Sequence, residues 1–528
     1  VSSAASDVYK RQSCSTASAS RRHRASRTSA SRLSHYVGGR KSASQFSEYA
    51  PATGGRDGRM SSVAFSLYDG GDSDADESEA DDVEARAEAP PPPPPSGAKT
   101  RAACAAAVQM GLLLAACAIG DSRMPAGLLP AGTTVRTENM DLWTFVMASL
   151  ALASAWQMRP LEVDGGKEAA LFMSRAQANE WKGWMQVAFV AYHYTNAQDV
   201  YVPIRWAVSA YVWLTGFGNG VYFWSSADFS PKRFFQQLWR MNFLCALLAM
   251  ATNTAWIDYY FVALATVHFG LIFLSLGVAR LVGGRLGWAA PDRKAGREAR
   301  DAEKALGVLF MVVLTVVLWV PPLLPGAQRD GARGTPYYYV FDWWLAKISD
   351  HTADYFWSRT RMDYLSSIHG LLFAAVYARF RDAWPAMAAA KKGALGAAAA
   401  AALAIAVYVA KRPAYCCNGG AEYRKINAYV GPLWIPAYLL ARNATPWLTN
   451  HVSRPVEWIG MHSLEFYLLQ FHVLLTRKSQ LVLYVIPKES WGYTNMALVT
   501  GIYVAVCVKA LELTNGLRAV AWRAADLD

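Results

Sequence analysis

The stretch that decides the fold is residues 257–282, "IDYYFVALATVHFGLIFLSLGVARLV". After its first turn it carries only His268 and Arg280 among otherwise apolar and small side chains. A helix needs about 20 predominantly apolar residues to cross a bilayer, because each residue rises ~1.5 Å through a core ~30 Å thick. The stretch is long enough, and it predicts a membrane-spanning helix.

Similar apolar runs recur over the rest of the chain from residue 103 onward. Several reach the length of a crossing and others fall short of it, so that ten to twelve crossings are compatible with the sequence. We therefore predict an all-α, polytopic transmembrane helical bundle spanning residues 103–520. The other runs lie near 103–119, 142–157, 181–194, 205–224, 234–251, 305–324, 364–382, 393–410, 428–441, 456–475 and 495–512.

The first 100 residues have a different character from the rest. They are rich in Ser, Ala, Arg, Gly and acidic residues, and they end in "APPPPPPSGAKTR". Without long apolar runs they cannot bury enough surface to offset the entropy lost on ordering. We predict a disordered, low-complexity tail over residues 1–100, of which residues 1–12 are interpreted as a cloning or read-through artefact.

Charge and cysteine usage limit the classes of function. The chain of 528 residues is 53% hydrophobic, only 17% charged, and carries a formal net charge of +12. The positive charge belongs to the tail and the loops, so we predict no nucleic-acid partner. Basic clusters at 280–304, 391–392 and 411–412 offer positive-inside evidence, and the first and strongest of them is placed in the cytosol. The seven cysteines show no metal-binding spacing, and we predict no metal site.

A polar stripe runs along residues 180–194, "EWKGWMQVAFVAYHY". Positions seven apart return to nearly the same face of an α-helix, because one turn takes about 3.6 residues. Lys182, Gln186 and His193 therefore share one face, with Phe189 between them. Polar groups at bilayer depth usually face a bundle interior or a cavity. The stripe predicts either a reactive site or hydrogen bonds that join helices.

A second polar stripe lies in residues 458–475, "WIGMHSLEFYLLQFHVLL". Glu465 and His472 are seven apart on one face, and Ser463, Tyr467 and Gln470 follow on a neighbouring face. A carboxylate and an imidazole are the groups that proton transfer requires. The pattern predicts a cavity lined by both groups, or a satisfied polar network in the core.

Several long motifs, in the same order, resemble one known family. They are "EWKGWMQVAFVAYHY", "AYVWLTGFGNGVYFW", "DFSPKRFFQQLWRMNF", "LLARNAT" and "GMHSLEFYLLQFHV". Together they resemble the multi-spanning acyltransferase domain of the polysaccharide O-acetylation proteins. That family includes the plant reduced wall acetylation proteins, the fungal capsule O-acetylation protein and the membrane half of the animal sialate O-acetyltransferase. The resemblance covers about residues 103–520 and is strongest to the plant type.

The resemblance implies acetylation of polysaccharide or glycan hydroxyls in the Golgi membrane, with acetyl-CoA as the donor. It also implies a set of functional residues, namely Glu180, Lys182, Gln186, His193, Arg240, Asn242, Arg359, Asp363, Glu465, Gln470 and His472. Two departures stand out. The family's "EWHFRSGLD" becomes "YFWSRTRMD" around Trp357, and its "HPYTS" becomes "NAYVG", which puts Asn427 where a histidine is usual.

The predicted mechanism assigns a role to each of these groups. His193 first, and His472 second, would act as general base or acetyl relay, with Glu465 orienting or charge-stabilising the imidazole. Arg240 and Arg359 would hold CoA phosphates or a developing oxyanion. The remaining substrate-binding residues are predicted to be Lys182, Gln186, Asn242, Asp363 and Gln470.

Two features bear on partners and modification. The "IGDSRM" segment contains Ser122 but leaves no room for a serine-esterase domain, so a separate lumenal acetyltransferase is an expected partner beside the glycan acceptor and the lipid bilayer. Asn443-Ala-Thr445 is a glycosylation sequon. A transporter of acetyl-CoA or acetyl groups is the alternative reading, and a non-catalytic scaffold is a weaker third one.

Overall fold

The structure is a computed structural model and describes most of the chain after the predicted tail. It covers residues 96–121, 133–135, 137–161, 172–288, 301–319, 336–348, 353–410, 421–476, 479, 481–486 and 488–525. The predicted disordered tail lies outside the described residues except for its last five positions. Those five are helical, because the first helix begins at Ser96.

The described residues are almost entirely helical, as predicted. In chain order the helices are α1 Ser96–Asp121, α2 Met140–Trp156, α3 Arg175–Thr195, α4 Tyr201–Ser226, α5 Pro231–Thr252, α6 Tyr260–Arg285, α7 Asp301–Trp319, α8 Pro336–Ile348, α9 Ala353–Thr360, α10 Ser366–Ala386, α11 Ala389–Ala410, α12 Ala421–Val430, α13 Trp434–Arg442, α14 Pro446–Asn450, α15 Arg454–Met461, α16 Ser463–Leu469 and α17 Lys488–Ala525.

Short strands join distant parts of the chain. β1 (Thr133–Val135) pairs antiparallel with β5 (Leu481–Leu483), which also pairs with β4 (Leu475–Thr476). β2 (Met158–Pro160) pairs antiparallel with β3 (His451–Ser453), with Arg159 opposite Val452. These two small sheets fix the start of α2 near the end of the second polar stripe, and the end of α2 near the start of α15.

Local sequence signals set the helix ends. Ser174 caps α3 by accepting a hydrogen bond from Gln177 N at 3.2 Å, and the Gln177 side chain accepts from Ser174 N at 3.3 Å. This reciprocal pair satisfies donors that a helix start leaves open. The helix ends at Asn196, whose φ of 49° is left-handed. Ser230 caps α5 by accepting a hydrogen bond from Arg233 N at 3.2 Å, and α5 ends at Asn253, whose φ of 51° is also left-handed.

Five helices among the described residues are long and apolar enough to cross a membrane, by length and composition only. They are α1, α6 with the preceding 3₁₀ turn Trp256–Tyr259, α7, α11 and α17. Only 17% of the apolar window is buried in α1 and in α11. Helices α3 and α4, in contrast, carry many polar residues and bury most of their length. Apolar helices with exposed faces and polar helices with buried ones are typical of a membrane bundle.

Two helices are interrupted inside the bundle. A 3₁₀ turn at Gly431–Leu433 separates α12 from α13. A break at His462 separates α15 from α16, which then passes into a π-helical turn at Gln470–Leu474. Irregular backbone at membrane depth is tolerated where protein covers it or where it lines a cavity. The second interruption falls within the second polar stripe.

Candidate functional site

Two glycines bring the first polar stripe against the second. A Cβ atom at Gly183 of α3 would lie 1.8 Å from the Val456 carbonyl oxygen, and one at Gly460 of α15 would lie 1.8 Å from the Asn179 carbonyl oxygen. No side chain larger than hydrogen fits at either position, and small residues allow such close helix crossings. The polar faces of α3 and α16 therefore meet beyond this crossing.

A small cavity lies where the stripes meet. Its volume is about 20 Å³, enough for roughly one water molecule. It is lined by Lys182, Gln186, Phe189, Tyr211, Phe261, Ser463, Leu464 and Tyr467. The first three belong to the stripe predicted on α3, and Ser463 and Tyr467 belong to the neighbouring face predicted on α16. The meeting of these two faces was not evident from either segment alone.

Gln186 is the polar group of this cavity that most needs a partner. Its side chain is 2% exposed, and among the described residues its amide Nε2 has no hydrogen-bond acceptor. A buried N–H group without a partner costs about 1–3 kcal/mol, so such groups in folded proteins need an explanation such as a bound molecule. Lys182, on the same face, is also buried, with 6% exposure. The cavity thus offers the Gln186 amide donor to a polar guest, and a buried lysine lines the same cavity.

His193 lies at the far end of the same interface. Its Nδ1 is 3.2 Å from Oε1 of Gln470, the first residue of the π-helical turn. The imidazole also packs edge-on against Phe471, with ring centroids 5.6 Å apart. Single π-helical turns occur frequently at functional sites. Two predicted site residues, His193 and Gln470, are therefore direct partners.

His472 lies in the same π-helical turn and faces the start of α6. Its Nε2 is 2.6 Å from the hydroxyl oxygen of Tyr259. The imidazole is 3% exposed, which places it in the protein interior. His472 therefore shares one π-helical turn with Gln470, the partner of His193.

Glu465 forms an ion pair with another predicted site residue, Arg240. Its carboxylate, fully buried, is bound by the Arg240 guanidinium of α5 through hydrogen bonds of 2.6 and 3.2 Å. Both carboxylate oxygens therefore accept from arginine, and the structure shows no hydrogen bond from Glu465 to His193 or His472 among the bonds it describes. This bidentate ion pair joins α5 to α16, and the orienting or charge-stabilising role of Glu465 toward an imidazole stays a prediction.

Asp363 is the centre of a second polar cluster. It is fully buried and accepts hydrogen bonds from the Arg205 guanidinium, from Ser209 Oγ at 2.7 Å and from Asn427 Nδ2 at 3.1 Å. Asn427 also donates to the Met362 carbonyl oxygen at 2.6 Å. The position where the family usually has a histidine thus contacts the predicted site residue Asp363 directly.

The segment Tyr259–Phe261, at the start of α6, links the three groups. Tyr259 contacts His472, and the Tyr260 hydroxyl oxygen accepts from Arg205 Nη1 at 3.4 Å. Phe261 lines the cavity, and its backbone N donates to the Tyr467 hydroxyl oxygen at 3.3 Å. The cavity, His472 and the Asp363 cluster are therefore neighbours around one helix start.

Two further predicted substrate-binding residues, Asn242 and Arg359, have different surroundings. Asn242 is engaged by Leu238 O, Thr266 Oγ1 and Trp256 Nε1, at 3.1, 3.1 and 2.8 Å. These bonds use both ends of its amide to join helices. Arg359 lies over the Tyr260 and Tyr355 rings, at 5.9 and 5.2 Å from their centroids. Arg359 is thus beside the Asp363 cluster. The Asn242 amide forms hydrogen bonds with neighbouring helical residues.

Glu180 and Asn443 lie at the opposite end of α3. The Glu180 carboxylate accepts from Arg442 at 2.8 and 2.9 Å. Asn443, the predicted glycosylation site, is fully buried, donates from Nδ2 to Leu439 O at 3.0 Å and accepts from Gln177 at 3.1 Å. A glycan on this nitrogen does not fit the described conformation, because Nδ2 is buried and already donates to the Leu439 carbonyl oxygen.

Sequence reasoning missed Arg205, Ser209 and Tyr259. The signal for Arg205 was available, since a charged residue at the start of a long apolar run is costly unless it has a partner. Its partner, Asp363, lies 158 residues away and could not be identified from spacing. Among the described residues no group of three His, Cys, Asp or Glu side chains is placed to hold a metal ion.

Comparisons with known proteins agree with the resemblance seen in the motifs. Residues 133–526 match the family model described as "10 TM Acyl Transferase domain found in Cas1p". The chain is also 26% identical, over 371 residues, to the N-acetylneuraminate (7)9-O-acetyltransferase of Danio rerio. That match covers 68% of this chain and 44% of the relative, so the chain spans less than half of the relative's length. No solved structure matches the chain.

Proposed function

Because the chain belongs to the family of the 10 TM acyltransferase domain found in Cas1p, we propose that it moves acetyl groups from acetyl-CoA toward hydroxyls of polysaccharides or glycans. Its site of action is the Golgi membrane, where the acceptor lies on the lumenal side. Transfer is direct or passes through a separate lumenal acetyltransferase. The O-acetyltransferase named among its relatives acts, by that name, on N-acetylneuraminate, and this supports a glycan acceptor.

The observation that carries this proposal is the meeting of the two polar stripes. Lys182 and the Gln186 amide face a cavity on one side of Phe189, and His193 contacts Gln470 on the other. His193 serves as general base or acetyl relay, since an imidazole works near neutral pH in either role. Gln186 Nε2 is an N–H donor suited to a carbonyl oxygen that gains negative charge.

The described conformation is a closed one. A cavity of about 20 Å³ holds roughly one water molecule and excludes a donor the size of acetyl-CoA. Entry of the donor requires α3 and α16 to separate beyond the Gly183–Gly460 crossing. Closure after entry would exclude water and protect the activated acetyl group from hydrolysis.

The test uses purified protein in liposomes, with acetyl-CoA labelled in its acetyl group and a soluble glycan acceptor. Two products are measured, a covalent acetyl-protein adduct and acetyl esters on the acceptor. Wild-type protein is expected to give at least one of them, and His193→Ala is expected to give neither. His451→Ala is the matched control, because the described hydrogen bond of the His451 imidazole is a local one, between Nδ1 and the Trp447 carbonyl oxygen at 2.9 Å. Equal products from His193→Ala would overturn the assignment.

The interrupted helices support a second candidate, a transporter of acetyl-CoA or acetyl groups. Helices broken near the membrane midplane commonly form the substrate sites of transporters. The α12–α13 and α15–α16 pairs are both interrupted by a short break, as such a site would require. In the liposome assay, this candidate predicts uptake of intact labelled acetyl-CoA with no adduct and no acetylated acceptor.

A further inference from the structure

A chain of hydroxyl groups leads from the end of α5 to His472. Thr252 Oγ1 donates to the Leu248 carbonyl oxygen at 2.8 Å, and Thr254 Oγ1 lies 3.0 Å from Thr252 Oγ1. The Tyr259 hydroxyl lies 3.1 Å from Thr254 Oγ1 and 2.6 Å from His472 Nε2. Four hydrogen bonds therefore connect a backbone carbonyl to a buried imidazole.

The direction of every bond in this chain follows from its first member. A carbonyl oxygen can only accept, so the single proton of Thr252 points at Leu248. Thr254 must then donate to Thr252, and Tyr259 must donate to Thr254. With its proton so used, the Tyr259 oxygen accepts from His472, and the imidazole carries a proton on Nε2. In the neutral ring, the lone pair is then on Nδ1.

The same reasoning about donors and acceptors places the proton of His193 on the other ring nitrogen, Nδ1. Gln470 Nε2 donates to the Tyr467 carbonyl oxygen at 3.0 Å, which fixes the orientation of the amide. Gln470 Oε1 therefore faces His193 Nδ1, 3.2 Å away, and an amide oxygen can only accept. The proton of His193 is on Nδ1, and in the neutral ring the lone pair is on Nε2.

We propose that the fold presets opposite tautomers at the two histidines, leaving Nε2 of His193 and Nδ1 of His472 as the basic nitrogens. Gln470 is the positioning residue for His193. Thr252, Thr254 and Tyr259 are the positioning residues for His472. A partner at one ring nitrogen determines which nitrogen is available for chemistry at the other, as in many catalytic histidines.

The tautomer of His193 specifies its part in acyl transfer, a step that rests on the proposed function. Nε2 takes the proton of the acceptor hydroxyl while the hydroxyl oxygen bonds to the carbonyl carbon of an acyl thioester. The carbon–sulfur bond breaks, and the leaving thiolate takes the proton back from Nε2. The Gln470 oxygen stabilises the intervening imidazolium through its bond to Nδ1–H.

Nitrogen-15 NMR of the full-length protein in lipid bilayers tests the proposal without any turnover. Histidine labelled at both ring nitrogens gives distinct shifts for protonated and unprotonated nitrogens. The spectra of His193→Gln and His472→Gln identify the two residues by difference among the nine histidines. The expected result is protonation of Nδ1 in His193 and of Nε2 in His472. The same tautomer at both, or the reverse pair, would overturn the proposal.

A pair of variants at Thr254 distinguishes loss of positioning at His472 from a general loss of structure. Thr254→Val removes the acceptor of the Tyr259 proton, which then turns to His472 Nε2, so the His472 proton is expected to move to Nδ1. Thr254→Ser restores the hydroxyl and is expected to keep the wild-type signals. Thr215→Val is the matched control, since Thr215 also bonds the carbonyl four residues earlier, at 3.0 Å, but lies outside the chain. An unchanged His472 in Thr254→Val would contradict the inference.

The corresponding pair at His193 changes Gln470. Gln470→Glu keeps an acceptor-only oxygen and is expected to preserve the proton on Nδ1, whereas Gln470→Leu is expected to give a mixture of tautomers. These readouts do not depend on acetyl transfer. Correct tautomers in a protein that forms no acetyl product would refute the proposed function alone, and wrong tautomers in an active protein would refute this inference alone.

Discussion

Arg240 and Glu465 are 225 residues apart in the sequence, and in the folded protein they form a bidentate ion pair with bonds of 2.6 and 3.2 Å. The two side chains are 4% and 0% exposed. A buried pair of this kind is strongly destabilised by removal of one partner, because an uncompensated charge remains in the interior. The pair therefore holds the second polar stripe in place through α5, and it supports the site from outside the cavity.

Breaking this pair at one side is expected to destabilise the protein. Glu465→Gln or Arg240→Met leaves one buried charge and should cost about 3–5 kcal/mol. The double variant Arg240→Met with Glu465→Met leaves no charge and should be more stable than either single variant. Thermal unfolding in detergent measures the order. A double variant less stable than both singles would show that the charges are needed individually.

The crossing of α3 and α15 is expected to tolerate only glycine. Gly183→Ala places a methyl group 1.8 Å from Val456 O, so the helices must shift apart, at a cost of about 1–3 kcal/mol. Acetyl transfer should fall because the polar stripes separate. Gly270→Ala is the control, since a Cβ there meets nothing within 4 Å. Melting temperature and product formation are measured together, and equal behaviour of the two variants would rule out the close crossing.

Replacing Gln186 by leucine is expected to lower acetyl transfer without lowering the stability of the protein. Gln186→Leu removes a buried N–H group that has no acceptor among the described residues, so the variant should be as stable as the wild type or more stable. The same change removes the donor offered to a polar guest, and acetyl transfer should fall at least tenfold. Unfolding and transfer are compared in one preparation. An active Gln186→Leu would show that the amide has no part in the reaction.

Asn427 is expected to accept histidine but not aspartate. Its Nδ2 donates to Asp363 at 3.1 Å, and a neutral imidazole also offers an N–H group at such a position. Asn427→His should therefore fold and keep its activity. Asn427→Asp brings two buried carboxylates together, and like charges at this distance repel strongly. Yield of folded protein and product formation distinguish the two, and a stable Asn427→Asp would contradict the described contact.

Helical period accounts for the two polar faces that the sequence identifies. The faces that contain Lys182, Gln186 and His193, and Ser463, Tyr467 and Gln470, are those that meet in the fold, because positions four and seven apart share a face. Period alone does not identify partners. The bonds from Arg240 to Glu465 and from Asn427 to Asp363 join helices far apart in the chain, and no spacing rule reaches them.

Basic residues in the loops also predict the membrane topology only in part. Three basic clusters offer positive-inside evidence, but α11 runs from Ala389 to Ala410 and two of the clusters flank its opposite ends. Lys391 and Lys392 lie in its first turn, and the third cluster follows its last residue. If α11 crosses the bilayer, these two clusters are on opposite sides. Short basic pairs therefore carry less information than the longer cluster after α6.

The most direct test of acetyl transfer is the acetyl-ester content of glycans in cells that lack the gene and receive it back. The account predicts that wild-type protein and the His451→Ala control restore the esters, whereas His193→Gln, expressed at the same level in the same membrane, does not. Full restoration of glycan acetylation by His193→Gln would contradict the central role of the histidine at the end of α3.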